Sequence, residues 1–417
     1  MQKKEEKIDQ KLIQSLTNFF QQTSTKEKEK EKENSISIQD LTNTLQQSLL
    51  QIKQKETESK LQSISIQSEN FENIPKILQI MNNFPSNDEI QLNGIVQILE
   101  YFIRKRNQTF GENIIETVIK VMNNFPNHEK IQENGSLLLY GIGGNNQENQ
   151  YQITKLSGIE TLIKAMNNFP NHEKIQENGC LLLYSIFDNN QENKNQITKL
   201  SGIETLIKAM NNFPNNDSIQ ESGCLLLYVI SEDNQENQYQ ITKLNGIEIV
   251  IKAMNNFPNN DSIQENGFLF LYTISENNQE IQNQITKLNG IEITIKTMNN
   301  FPNHGLVQLF GCGFLYFFSH NNKENQNQIR KLNGIETIIK TMNNFPNIEL
   351  IQVNGCAGLS SISQNNKENQ NKIRELNGIE IVIKAMNNFP KSLNLFKKMD
   401  VYFYQVFPQI IKKIEIK

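Results

Sequence analysis

One tetrapeptide governs what this chain can fold into. Asn-Asn-Phe-Pro recurs with its prolines at Pro85, Pro126, Pro170, Pro214, Pro258, Pro302, Pro346 and Pro390. The first step is 41 residues and every later step is 44. The segment from Leu156 to Asn171 returns unchanged from Leu200 to Asn215. A length of 417 residues would by itself suggest two or three globular domains. Tandem repetition replaces that expectation with one stacked body, in which each unit buries its apolar faces against its neighbours.

A period near 44 restricts the choice to helical HEAT or armadillo units or to four-stranded propeller blades. Apolar spacing decides between them. Ile159, Leu162, Ile163 and Met166 are spaced 3, 1 and 3. Ile175, Gly179, Leu182, Leu183 and Ile186 are spaced 4, 3, 1 and 3. These are helical stripes, not strand alternation. The chain has no Trp, so the Trp-Asp signature of blades is missing. Three helices fit each unit. The first is expected from Gln191 to about Leu200, capped by Asn189 or Asn190 with Glu192 near its first turn. Gly202 is expected to end it and permit a sharp corner. The second runs from about Ile203 to Met210 and stops near Asn212, because Pro214 disfavours helix at Phe213. The third begins near Asp217 and carries Ile219, Gly223, Leu226, Leu227 and Ile230. Gly179, Gly223, Gly267, Gly311 and Gly355 fall inside third helices, where glycine costs about 1 kcal/mol against alanine. Their recurrence predicts a close helix contact there.

The segments Gly-Ile-Glu-Thr-Leu-Ile-Lys-Ala-Met, Ile-Gln-Glu-Asn-Gly-Cys-Leu-Leu-Leu-Tyr-Ser-Ile and Asn-Gln-Ile-Thr-Lys-Leu-Ser-Gly together resemble an armadillo repeat, matching its second, third and next first helices. The long Asn-Asn-Phe-Pro loop is similar to the subtype in the armadillo region of Roco-type leucine-rich-repeat kinases. The resemblance covers roughly residues 71 to 390. It implies an all-α, right-handed superhelical solenoid, and a protein-binding scaffold whose third helices line a concave groove.

The ends depart from the array. Residues 1–34 predict an N-terminal helix, with a stripe from Ile8 to Phe19, and a mobile Lys/Glu linker. Residues 35–70 predict a degenerate repeat or cap, and 391–417 an apolar C-terminal cap. Net charge is −4 with pI near 5.8, which gives no strong attraction for nucleic acid. No apolar run approaches the ~18 residues of a membrane span, and the first ten residues lack the apolar core of a secretory signal. A cytoplasmic monomer is the expectation. Cys180, Cys224, Cys312 and Cys356 share one repeat position. Equivalent positions on stacked helices lie about 8–10 Å apart, too far for a disulfide, so reduced core thiols are expected.

Catalysis needs unlike groups converging on one point, whereas repetition spreads like groups along a line. His128, His172 and His304 follow the loop proline in separate repeats, and His320 stands elsewhere. Histidines one repeat apart are too distant to share zinc. No phosphate-loop or kinase signature occurs. Gly143-Gly144 and Gly311-Cys312-Gly313 read as a turn and a tightly packed helix. No enzyme activity, cofactor or metal is expected.

The candidate partner-binding surface consists of three ladders on the third helices. Tyr140, Tyr184, Tyr228, Tyr272 and Tyr316 supply apolar area with a hydroxyl. Leu137, Leu181, Leu225 and Leu269 stand three positions before the first four tyrosines. Glu133, Glu177, Glu221 and Glu265 form an acidic row, placed in the first helical turn. Together they would grip a protein or peptide. The alternatives are that the tyrosines pack between repeats, and that the carboxylates complement the helix N-terminus. Other roles are a regulatory or assembly module of a kinase-type scaffold, a membrane tether through Ile8–Phe20, and a nuclear import adaptor. The last family uses Trp and Asn four residues apart on third helices. Leu181 with Ser185, Leu225 with Val229 and Leu269 with Thr273 occupy those places, which disfavours it.

Overall fold

Each repeat from Gln147 to Ser363 folds into the three helices that its apolar spacing predicts. The structure, a computed structural model, describes residues 73–104, 112–144, 146–186, 191–232, 234–276 and 278–390. Those residues form helices and turns, with no strand among them. The expected N-terminal helix, linker, degenerate repeat and C-terminal cap lie outside the described residues. The chain divides into two units, Met1–Tyr101 and Phe102–Lys417. In the first, α1 (Asn73–Asn83) turns through Phe84-Pro85 into α2 (Asp88–Arg104), whose last residues belong to the second unit.

The second unit is an all-α solenoid of three-helix repeats. Its second helices are α3 (Glu112–Asn124), α6 (Gly158–Asn168), α9 (Gly202–Asn212), α12 (Gly246–Asn256), α15 (Gly290–Asn300), α18 (Gly334–Asn344) and α21 (Gly378–Asn388). Its third helices are α4 (Glu129–Gly143), α7 (Glu173–Ile186), α10 (Asp217–Ser231), α13 (Asp261–Ser275), α16 (Gly305–Ser319) and α19 (Glu349–Ser363). Its first helices are α5 (Gln147–Lys155), α8 (Gln191–Lys199), α11 (Gln235–Lys243), α14 (Gln279–Lys287), α17 (Lys323–Lys331) and α20 (Lys367–Glu375). Consecutive third helices pack on one another along the array. The core is the row of Ile, Leu and Met side chains predicted from the stripes, with Ile175, Leu182, Ile219 and Leu227 at most 1% exposed.

The corner between first and second helices differs from expectation. The left-handed residue is Ser157, Ser201, Asn245, Asn289, Asn333 or Asn377, with φ between 56° and 62°, and among the described residues no glycine has positive φ. Gly202 opens the second helix instead. A Cβ on it would stand 2.5 Å from Ile197 Cγ2 and 2.7 Å from the Ile197 carbonyl oxygen. Glycine is therefore required for close approach, not for backbone freedom.

The loop proline creates a donor deficit that the fold repairs. A helical carbonyl normally accepts from the N–H four residues on. For Met210 that residue is Pro214, which has none. Gln220, buried at the start of α10, donates its Nε2 to the Met210 carbonyl at 2.8 Å and to the Phe213 carbonyl at 3.0 Å. Gln132, Gln176, Gln264, Gln308 and Gln352 do the same for Met122, Met166, Met254, Met298 and Met342. In the first unit Gln91 donates to Met81 and Phe84. The same methionine side chain lies against the mid-helix glycine. A Cβ on Gly223 would meet Met210 Sδ at 2.5 Å and Cγ at 2.7 Å, which is the predicted close contact.

The two asparagines of the tetrapeptide join one repeat to the next. The second donates to the proline carbonyl one repeat back: Asn168 to Pro126 at 3.0 Å, Asn212 to Pro170 at 2.9 Å and Asn256 to Pro214 at 3.1 Å. The first pairs with a second-helix threonine of the following repeat, as Asn123 does with Thr161 at 2.9 Å. First helices are capped by Asn146, Asn234, Asn278, Asn322 and Asn366. Asn189 and Asn190 lie outside the described residues. Three residues after the cap, Asn149 and Asn237 each donate to the carbonyl of the preceding third helix, Ile142 and Ile230, at 2.9 Å.

Candidate functional site

Glu133, Leu137 and Tyr140 are four and three residues apart, so they fall on one face of α4. The equivalent residues of α7, α10 and α13 repeat that face. None of the thirteen ladder residues is fully buried. Tyr184 is 47% exposed, and Tyr140, Tyr228, Tyr272 and Tyr316 are half-buried, as are all four leucines and all four glutamates. The opposite faces of these helices hold the core residues and the Gln and Gly positions that close each repeat. The ladders are what the third-helix layer leaves at the surface.

The tyrosines are not equivalent. The Tyr272 ring reaches into the next repeat, edge-on to Phe310 and Phe317 with centroids 5.6 and 5.3 Å away. Room exists because Gly313 stands where earlier repeats carry leucine; a Cβ there would meet the ring at 3.0 Å. Tyr316 in turn lies 5.0 Å from Phe317 and 6.0 Å from His320. Tyr272 therefore packs between repeats, whereas Tyr184 presents its ring to solvent. Burial, and then the charge of Glu232, raise the Tyr228 phenol above its ordinary pKa. Burial, and then Glu276, do the same for Tyr272. Both remain hydrogen-bond donors at neutral pH, and the Tyr228 hydroxyl lies 3.5 Å from Glu232 Oε1.

The glutamate row sits one turn deeper than expected. The first-turn acids are Glu129, Glu173, Asp217 and Asp261. Glu133, Glu177, Glu221 and Glu265 each follow four residues later, where the macrodipole field has faded. Lys130 and Lys174 pair with Glu133 and Glu177 at 2.8 Å. The histidines are helix caps: Nδ1 of His128, His172 and His304 accepts from the backbone N–H three residues on, at 3.3, 3.4 and 3.5 Å. That places the proton of the neutral ring on Nε2. In His172 this nitrogen faces Glu129 at 3.3 Å, and in His304 it faces Glu265 at 3.5 Å.

The four cysteines are buried and free. Burial pushes the Cys180, Cys224 and Cys312 thiols up to about 12, which leaves them protonated and unreactive. Gly311-Cys312-Gly313 lies within α16, and Gly143-Gly144 closes α4. Among the described residues no group of three or more His, Cys, Asp or Glu side chains is placed to hold a metal. An open groove of about 510 Å³ lies along α5 and α8, lined by Tyr151, Lys155, Glu160 and Lys199 among others; it shares no residue with the ladders. Sequence reasoning missed Phe310, Phe317 and His320. Their signal was departure from the repeat pattern: Phe310 and Phe317 stand where α7 has Asn178 and Ser185.

The three-helix unit and its period are features shared with known proteins. Residues 50–194 match the family model LRRK2 ARM repeat. The chain folds as an armadillo-repeat array. Residues 208–399 of the array match a second family model, Protein zer-1 homolog-like, C-terminal domain. No curated protein matches the armadillo chain in sequence. A chain from a structure of the interaction between cadherin and beta-catenin superposes with a TM-score of 0.63 at 14% identity, covering 75% of this chain and 60% of that one. An engineered protein superposes with a TM-score of 0.54 at 13% identity, covering 82% of this chain and 98% of that one. A designed armadillo repeat protein gives 0.48 at 13% identity, over 60% and 99% of the two chains. At these identities the likeness to the first two is one of fold. Armadillo arrays are typical of protein-interaction scaffolds, and no helix among the described residues is long and apolar enough to cross a membrane.

Proposed function

We propose that this armadillo array is a non-catalytic, cytoplasmic scaffold that binds a protein or peptide partner along the third-helix face formed by the Tyr, Leu and Glu ladders. The observation that carries this reading is the partial exposure of every ladder residue on helices whose other faces are already closed. Tyrosine and leucine in such a row offer apolar area with few rotamers to freeze. The match of residues 50–194 to the LRRK2 ARM repeat model favours a second reading, a regulatory or assembly module of a kinase-type scaffold; it would use the same face.

The test is affinity capture with the intact chain and with Tyr184→Ala/Tyr228→Ala, followed by mass spectrometry. Circular dichroism controls for folding. Loss of specific partners from a variant with native helicity supports the face. Capture of the same proteins by both chains refutes it.

A further inference from the structure

The third-helix face changes character along its length. Through α4, α7, α10 and α13, with the residues that end them, it carries ten carboxylates and two lysines. The whole chain has a net charge of only −4, so negative charge is concentrated on this stretch of helices. At α16 the pattern switches. Leu306 and Leu350 stand where α4 and α7 have Lys130 and Lys174, and Leu309 and Val353 replace the ladder glutamates. Leu306 is 46% and Leu350 61% exposed. Leu306, Phe310, Gly313 and Phe317 are spaced 4, 3 and 4, one face of α16. That face joins the Tyr272 cluster to the exposed leucines. Single exposed leucines are ordinary. Two at equivalent positions of adjacent helices, continuous with half-buried aromatic rings, make a patch of the kind found at docking sites.

We infer that the partner of this face is a segment of two chemistries, rich in Lys and Arg at one end and apolar or aromatic at the other. The basic end lies over α4 to α13, where carboxylates alternate with rings such as Tyr184 that can receive a cation on their face. The apolar end lies on Leu306, Phe310, Phe317 and Leu350. Third helices stack about 10 Å apart, so a segment crossing from Glu133 to Leu309 in extended form needs roughly 12 residues. The order of the two blocks fixes the direction in which the segment lies. This inference rests on the docking face proposed above and adds its ligand.

The test is selection of a random peptide display library on the full chain, with synthetic peptides from the enriched sequences measured by fluorescence anisotropy. Enriched peptides are expected to carry a basic block and an apolar block in one constant order. Leu306→Glu/Leu350→Glu alters two exposed side chains and should weaken binding about tenfold or more. Glu177→Gln/Glu221→Gln should weaken it several-fold, to about a third or less, and flatten its salt dependence. Enriched peptides of another chemistry that still depend on Tyr184 would overturn the inference and leave the face standing. Failure to enrich any peptide, or binding indifferent to Tyr184, Leu306 and Glu221 alike, would overturn both.

Discussion

Gln220→Met measures how much the array depends on repairing the loop proline. Methionine keeps nearly the same length and volume, so packing is disturbed little. What disappears is the donor to two carbonyls. The Phe213 carbonyl still accepts from the Asn216 N–H at 3.2 Å, so its loss is one ordinary bond, about 1 kcal/mol. The Met210 carbonyl has Pro214 at the position of its helical donor and is left orphaned, at about 1–3 kcal/mol. The expected cost is thus roughly 2–4 kcal/mol. Repeat arrays unfold as coupled nearest neighbours and need not be two-state, so the suitable assay is native-state hydrogen exchange. Amides of α9 and α10 should lose protection by that amount, with the loss fading within a repeat or two. Gln264 adds a third bond, because its Oε1 accepts from Thr297 of the next repeat at 2.6 Å. A double-mutant cycle of Gln264→Met with Thr297→Val should show about 1 kcal/mol of coupling. A loss below about 0.5 kcal/mol in Gln220→Met, the level of an exposed substitution, would refute the donor-deficit argument.

Gly223→Ala should destabilise by about 1–2 kcal/mol despite alanine's better helix propensity, since its Cβ meets Met210 at 2.5 Å; thermal melts check this, and shortening Met210 to Ala in the same chain should remove the clash. Ser201→Gly should be neutral or stabilising by up to about 1 kcal/mol, because Ser201 holds φ 59°, whereas Ser201→Val should cost more than 1 kcal/mol; urea midpoints distinguish the two. Iodoacetamide should leave Cys180, Cys224 and Cys312 unmodified in the native chain at pH 8 and modify them after unfolding. Because their folded pKa of about 12 exceeds the ordinary 9.0, the unfolded chain releases these protons first. Their contribution to stability is intact below pH 9 and is lost as pH rises towards 12, which alkaline denaturation midpoints would register.

Helix positions were legible because they follow from spacing alone. The second and third helices of the Gln191–Ser231 repeat start and stop within about two residues of where the stripes, Asn212 and Asp217 put them. Gly223 was read correctly as a contact, since its cost inside a helix demands one. Gly202 was assigned the wrong reason: glycine after a helix usually supplies positive φ, but here Ser201 takes that conformation and the Ile197 carbonyl demands the missing Cβ. The glutamate row was placed a turn too early because the capping residue was not fixed by pattern. The Gln220 clamp was overlooked amid abundant Gln and Asn, although Met, Pro four residues later and Gln six after that form a consistent set. The shared, partly exposed face of the ladder residues follows from their spacing, whereas the switch at α16 does not, because Leu306, Phe310 and Leu350 mark it by departing from the recurring pattern.

The bonds between repeats are the same at almost every step. Asn212 to Pro170 and Asn256 to Pro214 are chemically interchangeable, and the segments around them are nearly so. Such bonds hold neighbours together without identifying them, so a folding chain can satisfy them with the wrong neighbour, or in a shortened array that skips one unit. Order is specified where contacts occur once: Tyr272 over Gly313, the Ser319 hydroxyl donating to Ser361 at 2.9 Å, and α19, with twelve of its fifteen residues buried. A chain lacking one internal unit of 44 residues before α13 should therefore fold as a shorter array, whereas one cut between α16 and α19 loses the contacts that tell the units apart.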